Sequence, residues 1–340
     1  MNENSLISEN PLDKDGLKTY SIYIVLFVSI VYSAVMILIP WESFQIGGFV
    51  DKKEYYSYFI YEKNILTYRN FDGLSDYLKH EALWHYVIDL LIHYFKINID
   101  YIFNFISFFC VFIFSFFLVK NKGYLSFILL TNPLLIDLAF SQFRLALVLS
   151  ILLTAYLFNK KVVTFFALLI CVFIHTATLL FFGIFFIIFL YRLFINKSNR
   201  KRKPFVLLLF VGLFVSLAIG PGLEIILSFF GDRRAVVYVG DASSGIKYTL
   251  FWIGLLFLCA LQDHNFYRNN VNCYAVIILS ICMFNLFTGG YTSRLIAASL
   301  PMIMYAILGF NQNLRYMSMI LYLFYVSLQW IYWLNVPIIR

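Results

Sequence analysis

Long apolar runs recur along the chain from Tyr20 to Pro337 and are separated by short polar connections. A helix needs about 20 mostly apolar residues to cross a bilayer. The pattern therefore predicts an all-α, polytopic integral membrane protein with about eleven transmembrane helices. The predicted spans are 20–39, 99–119, 123–137, 143–158, 162–174, 176–195, 204–219, 248–262, 271–288, 294–310 and 316–335. Several are shorter than about 17 residues, so tilted or broken helices are expected among them.

The run at 81–95, EALWHYVIDLLIHYF, is too short and too polar to read directly as a span. Basic residues concentrate on the cytoplasmic side of membrane proteins. With a cytoplasmic N-terminus and no crossing at 81–95, fourteen of the 26 Lys and Arg residues fall inside and six fall in short outer connections. The segment 81–95 is therefore predicted to be a re-entrant or interfacial helix on the outer face.

This topology gives one transmembrane domain over residues 1–340, with external segments at 40–98 and 220–247. A mostly polar stretch precedes the first apolar run, and no small-residue cleavage site follows that run. The span at 20–39 is accordingly predicted to be an uncleaved first helix and not a removed signal peptide.

Composition supports a membrane protein and argues against a nucleic-acid-binding one. The chain is 62% hydrophobic and 13% charged, whereas soluble domains carry about 25% charged residues. The net charge is +8, but the densest basic run, KSNRKRK at 197–203, lies between two apolar spans, as in a cytoplasmic loop near anionic lipid. The five cysteines lie in apolar segments without CxxC spacing, which favours buried small hydrophobes over a disulfide or metal site.

Arg144, in the stretch SQFRLAL, places a permanent charge at the head of an apolar run. It has two ordinary explanations, which are pairing with Asp137 or reaching the outer head groups. Arg294 and the Arg233–Arg234 pair are predicted at the same depth. Several guanidiniums facing one side favour a phosphate- or carboxylate-bearing ligand, because the planar fork binds such oxyanions in a bidentate manner.

Histidines and carboxylates supply candidates for proton transfer. His175 ends an apolar run, where it is either a satisfied histidine at a helix break or a proton acceptor. Glu81, His85, Asp89 and His93 recur at intervals of four, which predicts one face of a helix. A metal site is conceivable there, but a water-facing polar stripe is favoured. Glu81 is the carboxylate preferred as general base.

The segment 40–80 interleaves tyrosines with carboxylates, a composition that suits sugar binding and equally suits a membrane-interface loop. Its members are Tyr55, Tyr56, Tyr58, Tyr61, Tyr68 and Tyr77 with Asp51, Glu54, Glu62, Asp72 and Asp76. Substrate-binding candidates across the chain are Gln142, Arg233, Arg234, Tyr291, His85 and Asp76.

The order of these motifs resembles the EpsG-like branch of Wzy-type polysaccharide polymerases. HEALWHYVIDLL, SQFRLAL, FIHTATLL and the late GGYTSR follow one another as in that family, and Glu81, Gln142, Arg144 and His175 fall on matching positions. The chain departs from the family at Ala82, Leu145 and Ile174, where a proline, a glutamine and a phenylalanine are expected. The match covers roughly 81–180, with Arg294 as an extension.

The resemblance implies a glycosyltransferase of the bacterial inner membrane, with its active site facing the periplasm. Its substrates are undecaprenyl-diphosphate-linked oligosaccharide repeat units of O-antigen, lipopolysaccharide or capsule, and the lipid diphosphate is the leaving group. The arginines, with Arg144 and Arg294 foremost, hold the diphosphate without a metal or other cofactor, and Glu81 or His175 serves as base. Membrane lipids and a chain-length regulator protein are the other expected partners.

Two other functions remain open from sequence. One is a glycosyltransferase that uses lipid-phosphate sugars, or an O-antigen ligase, with Asp72 and Asp76 as acidic residues of an outer loop. The other is a transporter or flippase of lipid-linked sugars, which the scarcity of charges inside the spans disfavours.

Overall fold

The computed structural model describes residues 21–45, 48–61, 73–197, 204–222, 225, 228, 246–290 and 292–335. Every regular element in these parts of the chain is helical. The helices, numbered in chain order, are α1 (Ile22–Leu38), α2 (Trp41–Phe44), α3 (Val50–Tyr56), α4 (Leu74–Lys79), α5 (Ala82–Asp89), α6 (Ile99–Lys122), α7 (Pro133–Phe140), α8 (Phe143–Phe158), α9 (Lys161–Ile174), α10 (Thr178–Lys197), α11 (Pro204–Ile219), α12 (Ile246–Ala260), α13 (Asn270–Thr288), α14 (Thr292–Ile307) and α15 (Gln312–Asn335).

Three of these helices, α6, α13 and α15, are long and apolar enough to cross a membrane. A fourth crossing is reached if the bent pair of α7 and α8 is counted as one span. Shorter apolar helices correspond to most of the other predicted spans, among them α1, α9 and α11. The all-α fold with membrane-type helices is as predicted, while the number of eleven spans stays a prediction.

The packing is that of helices whose outer surfaces face an apolar environment. α13 forms the centre, with residues from Val271 to Cys282 buried. Large apolar side chains on the outer helices project outward, for example Phe27, Phe105 and Phe214, each about two-thirds exposed. In water such extensive apolar exposure is unfavourable, whereas lipid tails solvate it. The architecture of the described residues is all-helical and compatible with a membrane protein.

The predicted span at 123–137 is not one continuous helix. After Gly123 the chain forms a 3₁₀ helix from Tyr124 to Leu130 and then starts α7 at Pro133. Asn132 caps α7 by accepting from the backbone N–H of Leu134, and its amide donates to Tyr322 in the middle of α15. The Asn-Pro pair therefore interrupts the segment, because proline begins a helix but has no N–H to continue one.

α7 and α8 meet at a sharp bend of 101° around residues 141–142. Ala139 lies beside Ser107 of α6, whose hydroxyl donates to the Ala139 carbonyl. The chain therefore runs back along α6 from the level of Lys122 to the level of Ser107, a distance of about 22 Å at 1.5 Å per helical residue. The bend places the first turn of α8, and with it Arg144, at the end of the bundle where α6 begins.

The two ends of the helices carry different chemistry. Arg144, His175 and Arg294 lie where α8 begins, α9 ends and α14 begins. At the opposite end, the Lys122 ammonium lies 3.9 Å from the Tyr305 ring centroid and Arg192 donates to Asn270. Lys122 and Arg192 thus lie at one end of the helices, and Arg144, His175 and Arg294 lie at the other.

Gly212 provides a sharp test of this packing. A β-carbon at Gly212 of α11 would lie 2.3 Å from Cβ of Ser280 in α13, whereas one at Gly254 of α12 would meet nothing within 4 Å. Gly212→Ala should destabilise the protein by about 1–3 kcal/mol through overpacking. Gly254→Ala should be neutral or stabilising by up to about 1 kcal/mol, because alanine favours helix.

Thermal unfolding in detergent, followed by fluorescence-detected size exclusion, measures the difference between the two variants. Equal melting temperatures for Gly212→Ala and Gly254→Ala would contradict the close approach of α11 and α13.

Candidate active site

Glu81 is the centre of a buried polar cluster. It immediately precedes α5 with a left-handed backbone, φ 51° and ψ 46°, a conformation uncommon for a residue with a β-carbon. Its side chain is almost fully buried. One carboxylate oxygen, Oε2, forms an ion pair with Arg144, and the other, Oε1, lies 2.6 Å from His175 Nδ1. The strained backbone is held in place by these contacts.

The turn between α9 and α10 supplies three donors to a single oxygen of Glu81. Besides the His175 ring, the backbone N–H of Thr176 donates to Oε1 at 3.1 Å and its hydroxyl at 3.2 Å. Thr178 closes the turn by donating its hydroxyl to the His175 carbonyl at 2.6 Å. The sequence HTAT thus shapes a pocket for one carboxylate oxygen.

Arg144 joins Glu81 to α3. Its Nε–H donates to the Tyr55 hydroxyl at 2.9 Å and its Nη1 contacts Glu81. Tyr55 is buried among Trp84, Phe103 and Phe143, at ring-centroid separations of about 6 Å. Among the described residues, Nη2 of Arg144 has no hydrogen-bond partner, so two of the five guanidinium N–H groups remain available for a ligand. The side chain is about one-third exposed, which gives a ligand access.

The electrostatics of the cluster keep Glu81 ionised. Burial alone would raise its pKa, but the hydrogen bond from His175, the charge of Arg144 and the Thr176 N–H favour the carboxylate and lower the pKa. A carboxylate with such a low proton affinity is a poor general base at neutral pH. The choice of Glu81 as base stays a prediction, and the contacts of Glu81 suit it to orienting its two partners.

His175 is the group in this cluster that is placed to move a proton. With Nδ1–H donating to Glu81, the lone pair of the neutral ring is on Nε2. Within the described residues no hydrogen bond engages Nε2, and the side chain is about one-fifth exposed. A carboxylate that fixes one nitrogen and leaves the other open is the arrangement by which proteins orient a histidine base.

Arg294 is connected to the same cluster through α3. Asp51 and Tyr55 are four residues apart, so they share one face of this helix. Tyr55 contacts Arg144, while Asp51 lies 3.4 Å from Nη2 of Arg294. Gly289 and Gly290, with φ of 75° and 130°, turn the chain out of α13 and set Arg294 in the first turn of α14. The structure therefore brings Arg144 and Arg294 to one helix face.

The remaining candidates lie elsewhere or outside the described residues. Gln142 is buried and donates to Asp137 at 2.8 Å, so Asp137 holds Gln142 and not Arg144. His85 is buried with its ring 5.7 Å from Phe59, and Asp76 pairs with Lys79. Arg233, Arg234 and Tyr291 lie outside the described residues, as does most of the predicted external segment 220–247.

The predicted polar stripe at 81–95 divides into parts. α5 continues as a π-helical turn from Leu90 to Tyr94, and the whole helix is too short to span a bilayer alone. Glu81 precedes the helix and His85 is buried, while only Asp89 and His93 form an accessible pair, 3.4 Å apart. The prediction of a stripe facing water is wrong for Glu81 and His85. In the described residues no group of three His, Cys, Asp or Glu side chains could hold a metal.

Sequence reasoning gave no role in this cluster to Tyr55, Asp51 or Thr176. Tyr55 and Asp51 stood out only as members of a tyrosine- and carboxylate-rich segment. Their spacing of four residues indicates that they share a helix face. The spacing does not show which residues of other helices they contact. Thr176 was visible only as the neighbour of His175.

Comparison with known proteins identifies no relative. The chain matches no protein-family model, no curated protein and no solved structure. The described residues therefore define only an all-helical fold with apolar helices of membrane type and a partly buried Glu–Arg–His cluster at one end of these helices.

Glu81→Gln tests the importance of the buried charge. The amide keeps the shape of the side chain but leaves Arg144 without its counter-ion, and breaking a buried pair costs about 3–5 kcal/mol. Because the pKa of Glu81 is lowered on folding, its stabilisation is complete above the ordinary carboxyl value of about 4.3 and is lost as the pH falls through the lowered pKa.

In detergent, the free energy of unfolding of Glu81→Gln should be much lower than that of wild type at neutral pH. This difference should become smaller only below about pH 4.3. A difference that disappears between pH 5 and 7 would show that Glu81 is not held ionised as described.

Proposed function

We propose that the protein is a Wzy-type polysaccharide polymerase, a glycosyltransferase that joins undecaprenyl-diphosphate-linked repeat units. One observation carries this proposal. Glu81, Arg144 and His175, the residues that fall on the family's three motifs, come from separate helices and meet in one cluster. Coincidental matches to short motifs have no reason to converge in space.

The diphosphate of the donor would bind at Arg144 and Arg294. Both arginines lie in the first turn of a helix, α8 and α14, where the helix dipole is positive and favours an anion more than it favours another cation. The two arginines therefore do not stabilise their helices by this placement. They are instead positioned to bind an oxyanion through paired N–H donors.

The charges of the cluster indicate which ion pair must break when the diphosphate of the donor binds. With His175 neutral, the cluster contains two guanidiniums and two carboxylates, Glu81 and Asp51, so it is close to neutral. The Glu81–Arg144 pair is short and its carboxylate is almost fully buried, so it is expected to persist, whereas the Asp51–Arg294 contact is long and both its side chains are partly exposed. Exposed pairs are worth only about 0.2–1 kcal/mol. A diphosphate would accordingly displace Asp51 from Arg294.

The chemical step follows from these positions. The acceptor hydroxyl attacks the anomeric carbon of the donor, and its proton passes to Nε2 of His175. The bond between the anomeric carbon and the diphosphate oxygen breaks, and its electron pair leaves with the lipid diphosphate. Arg144 and Arg294 stabilise the negative charge that develops on this leaving group. Glu81 stabilises the imidazolium without accepting the proton itself.

The orientation of the protein is part of the same proposal. The cluster lies at the end of the helices opposite Lys122 and Arg192. Because basic residues favour the cytoplasmic side, the cluster would open to the outer face of the inner membrane. There it would meet repeat units that have already crossed the bilayer.

The proposal is tested by two substitutions that preserve local contacts. In His175→Asn the amide nitrogen takes the place of Nδ1 toward Glu81 but Nε2 is removed, and in Arg294→Lys the charge remains but the planar fork is lost. Each variant should lower the amount of polymer at least tenfold while protein abundance is unchanged. For His175→Asn the reason is the loss of general base catalysis, which contributes about 10²–10⁴-fold.

The assay is complementation of a deletion strain, with surface polysaccharide resolved by chain length and the membrane protein quantified by immunoblot. Arg268→Lys, an exposed position between α12 and α13, is the matched control and should give wild-type polymer. Full-length polymer in His175→Asn cells would refute the assigned role of His175, and full-length polymer in both variants would refute the polymerase proposal.

A further inference from the structure

A second polar compartment lies on the other side of α3 from the Glu81 cluster. It is a cavity of about 260 Å³ between the segment α1–α3 and the helices α6–α8. We propose that this cavity binds one sugar ring, neutral or amino-substituted, of a substrate. Its place in polymerisation, as a subsite for the glycan, rests on the function proposed above, but the binding of a sugar does not.

α3 separates the two compartments. Asp51 and Tyr55 face the Glu81 cluster, whereas Lys52 is the next residue along and lines the cavity together with Phe49. Phe103 and Phe143 form the shared wall, since they stack at 4.1 Å, line the cavity and pack against Tyr55. Arg144 directly follows Phe143 in the chain, so a ring in the cavity would lie beside the proposed diphosphate site.

The walls of the cavity combine aromatic faces with hydrogen-bonding groups. Trp41, Phe49 and Phe140 contribute aromatic surface, and Trp41 packs 6.3 Å from Phe140. Asp100 and Asn104 contribute polar atoms on the side of α6. Sugars have apolar C–H faces and a rim of hydroxyls, so aromatic side chains and convergent polar groups are complementary to them.

Asn104 is the residue that most directly indicates a ligand. It occupies the sixth position of α6, a helix with membrane-spanning character, and its side chain is exposed. Among the described residues it has no hydrogen-bond partner, although its amide carries two donors and one acceptor oxygen. Because the side chain is exposed, its amide is accessible to a ligand. A hydroxyl-bearing ring would satisfy both functions of the amide.

The lining of the cavity disfavours two other kinds of ligand. Glu42 and Asp100 place two carboxylates in the lining against the single ammonium of Lys52, which already pairs with Glu42 at 2.8 Å. This balance repels phosphate and carboxylate groups. An acyl chain is disfavoured because it would leave the lining polar groups desolvated and unpaired. A neutral or amino sugar fits both conditions.

The size of the cavity limits the ligand to about one ring. Pockets for drug-sized ligands have volumes of about 300–1,000 Å³, and this cavity, at about 260 Å³, lies just below that range. The rest of an oligosaccharide would extend from the cavity toward the outside.

The experiment measures binding of free monosaccharides to the purified protein in lipid nanodiscs by saturation-transfer NMR. The probes are glucose, galactose, rhamnose, N-acetylglucosamine and galactosamine, with inorganic phosphate as a charged comparison. At least one sugar should give a saturable signal, while phosphate should not compete with it. Asn104→Leu should weaken that signal about tenfold, because it removes hydrogen bonds that the ligand would otherwise make.

The controls separate the cavity from the Glu81 cluster. Phe105→Leu, a lipid-exposed neighbour of Asn104 that does not line the cavity, should bind sugar as wild type does. Asp100→Asn keeps the shape of its side chain and should selectively weaken galactosamine. Absence of a saturable signal for every sugar, full binding by Asn104→Leu, or displacement by phosphate would each overturn the proposal. Because sugar binding is read directly, a failure of the polymerase proposal leaves this result interpretable.

Discussion

The carboxylate of Glu81 is the interaction on which this end of the molecule depends. An ionised carboxylate removed from water is unfavourable by several kcal/mol unless it is paired and hydrogen-bonded. Here the compensation comes from Arg144 at one oxygen and from His175 and Thr176 at the other. Because these partners belong to different helices, the buried charge fixes the relative positions of α5, α8 and the turn between α9 and α10.

Several irregular backbone features serve this arrangement. The left-handed residue before α5 directs Glu81 into the cluster, and the bend between α7 and α8 brings Arg144 to the same end. The two glycines before α14 place Arg294 near Asp51. In a membrane protein, non-helical backbone is tolerated where protein buries it or where it lines a polar cavity. The breaks in these helices therefore coincide with the residues that carry the proposed chemistry.

The all-α membrane fold could be predicted because spans depend on local apolar length, which a sequence displays directly. The order of the motifs singles out Glu81, Arg144 and His175, but it leaves open whether these residues converge in one cluster. The four-residue spacing predicted that Glu81 shares a helix face with His85, but Glu81 lies before the first residue of that helix. The predicted span at 123–137 is interrupted at Asn132–Pro133, a break that the Asn-Pro pair indicates and that hydropathy alone does not register. The roles of Tyr55 and Asp51 are visible only from their contacts with Arg144 and Arg294 in the folded protein.

In the proposed mechanism, Arg144 and Arg294 form a diphosphate site, and Asp51 occupies Arg294 until the ligand arrives. Calorimetry of inorganic pyrophosphate binding to purified wild type, Asp51→Asn and Arg294→Lys measures this competition. Removing the competing carboxylate should tighten binding about fivefold, in keeping with the modest strength of an exposed ion pair, and Arg294→Lys should weaken it. Pyrophosphate binding that is weaker in Asp51→Asn, or unaffected by either substitution, would show that Asp51 does not compete with a diphosphate for Arg294.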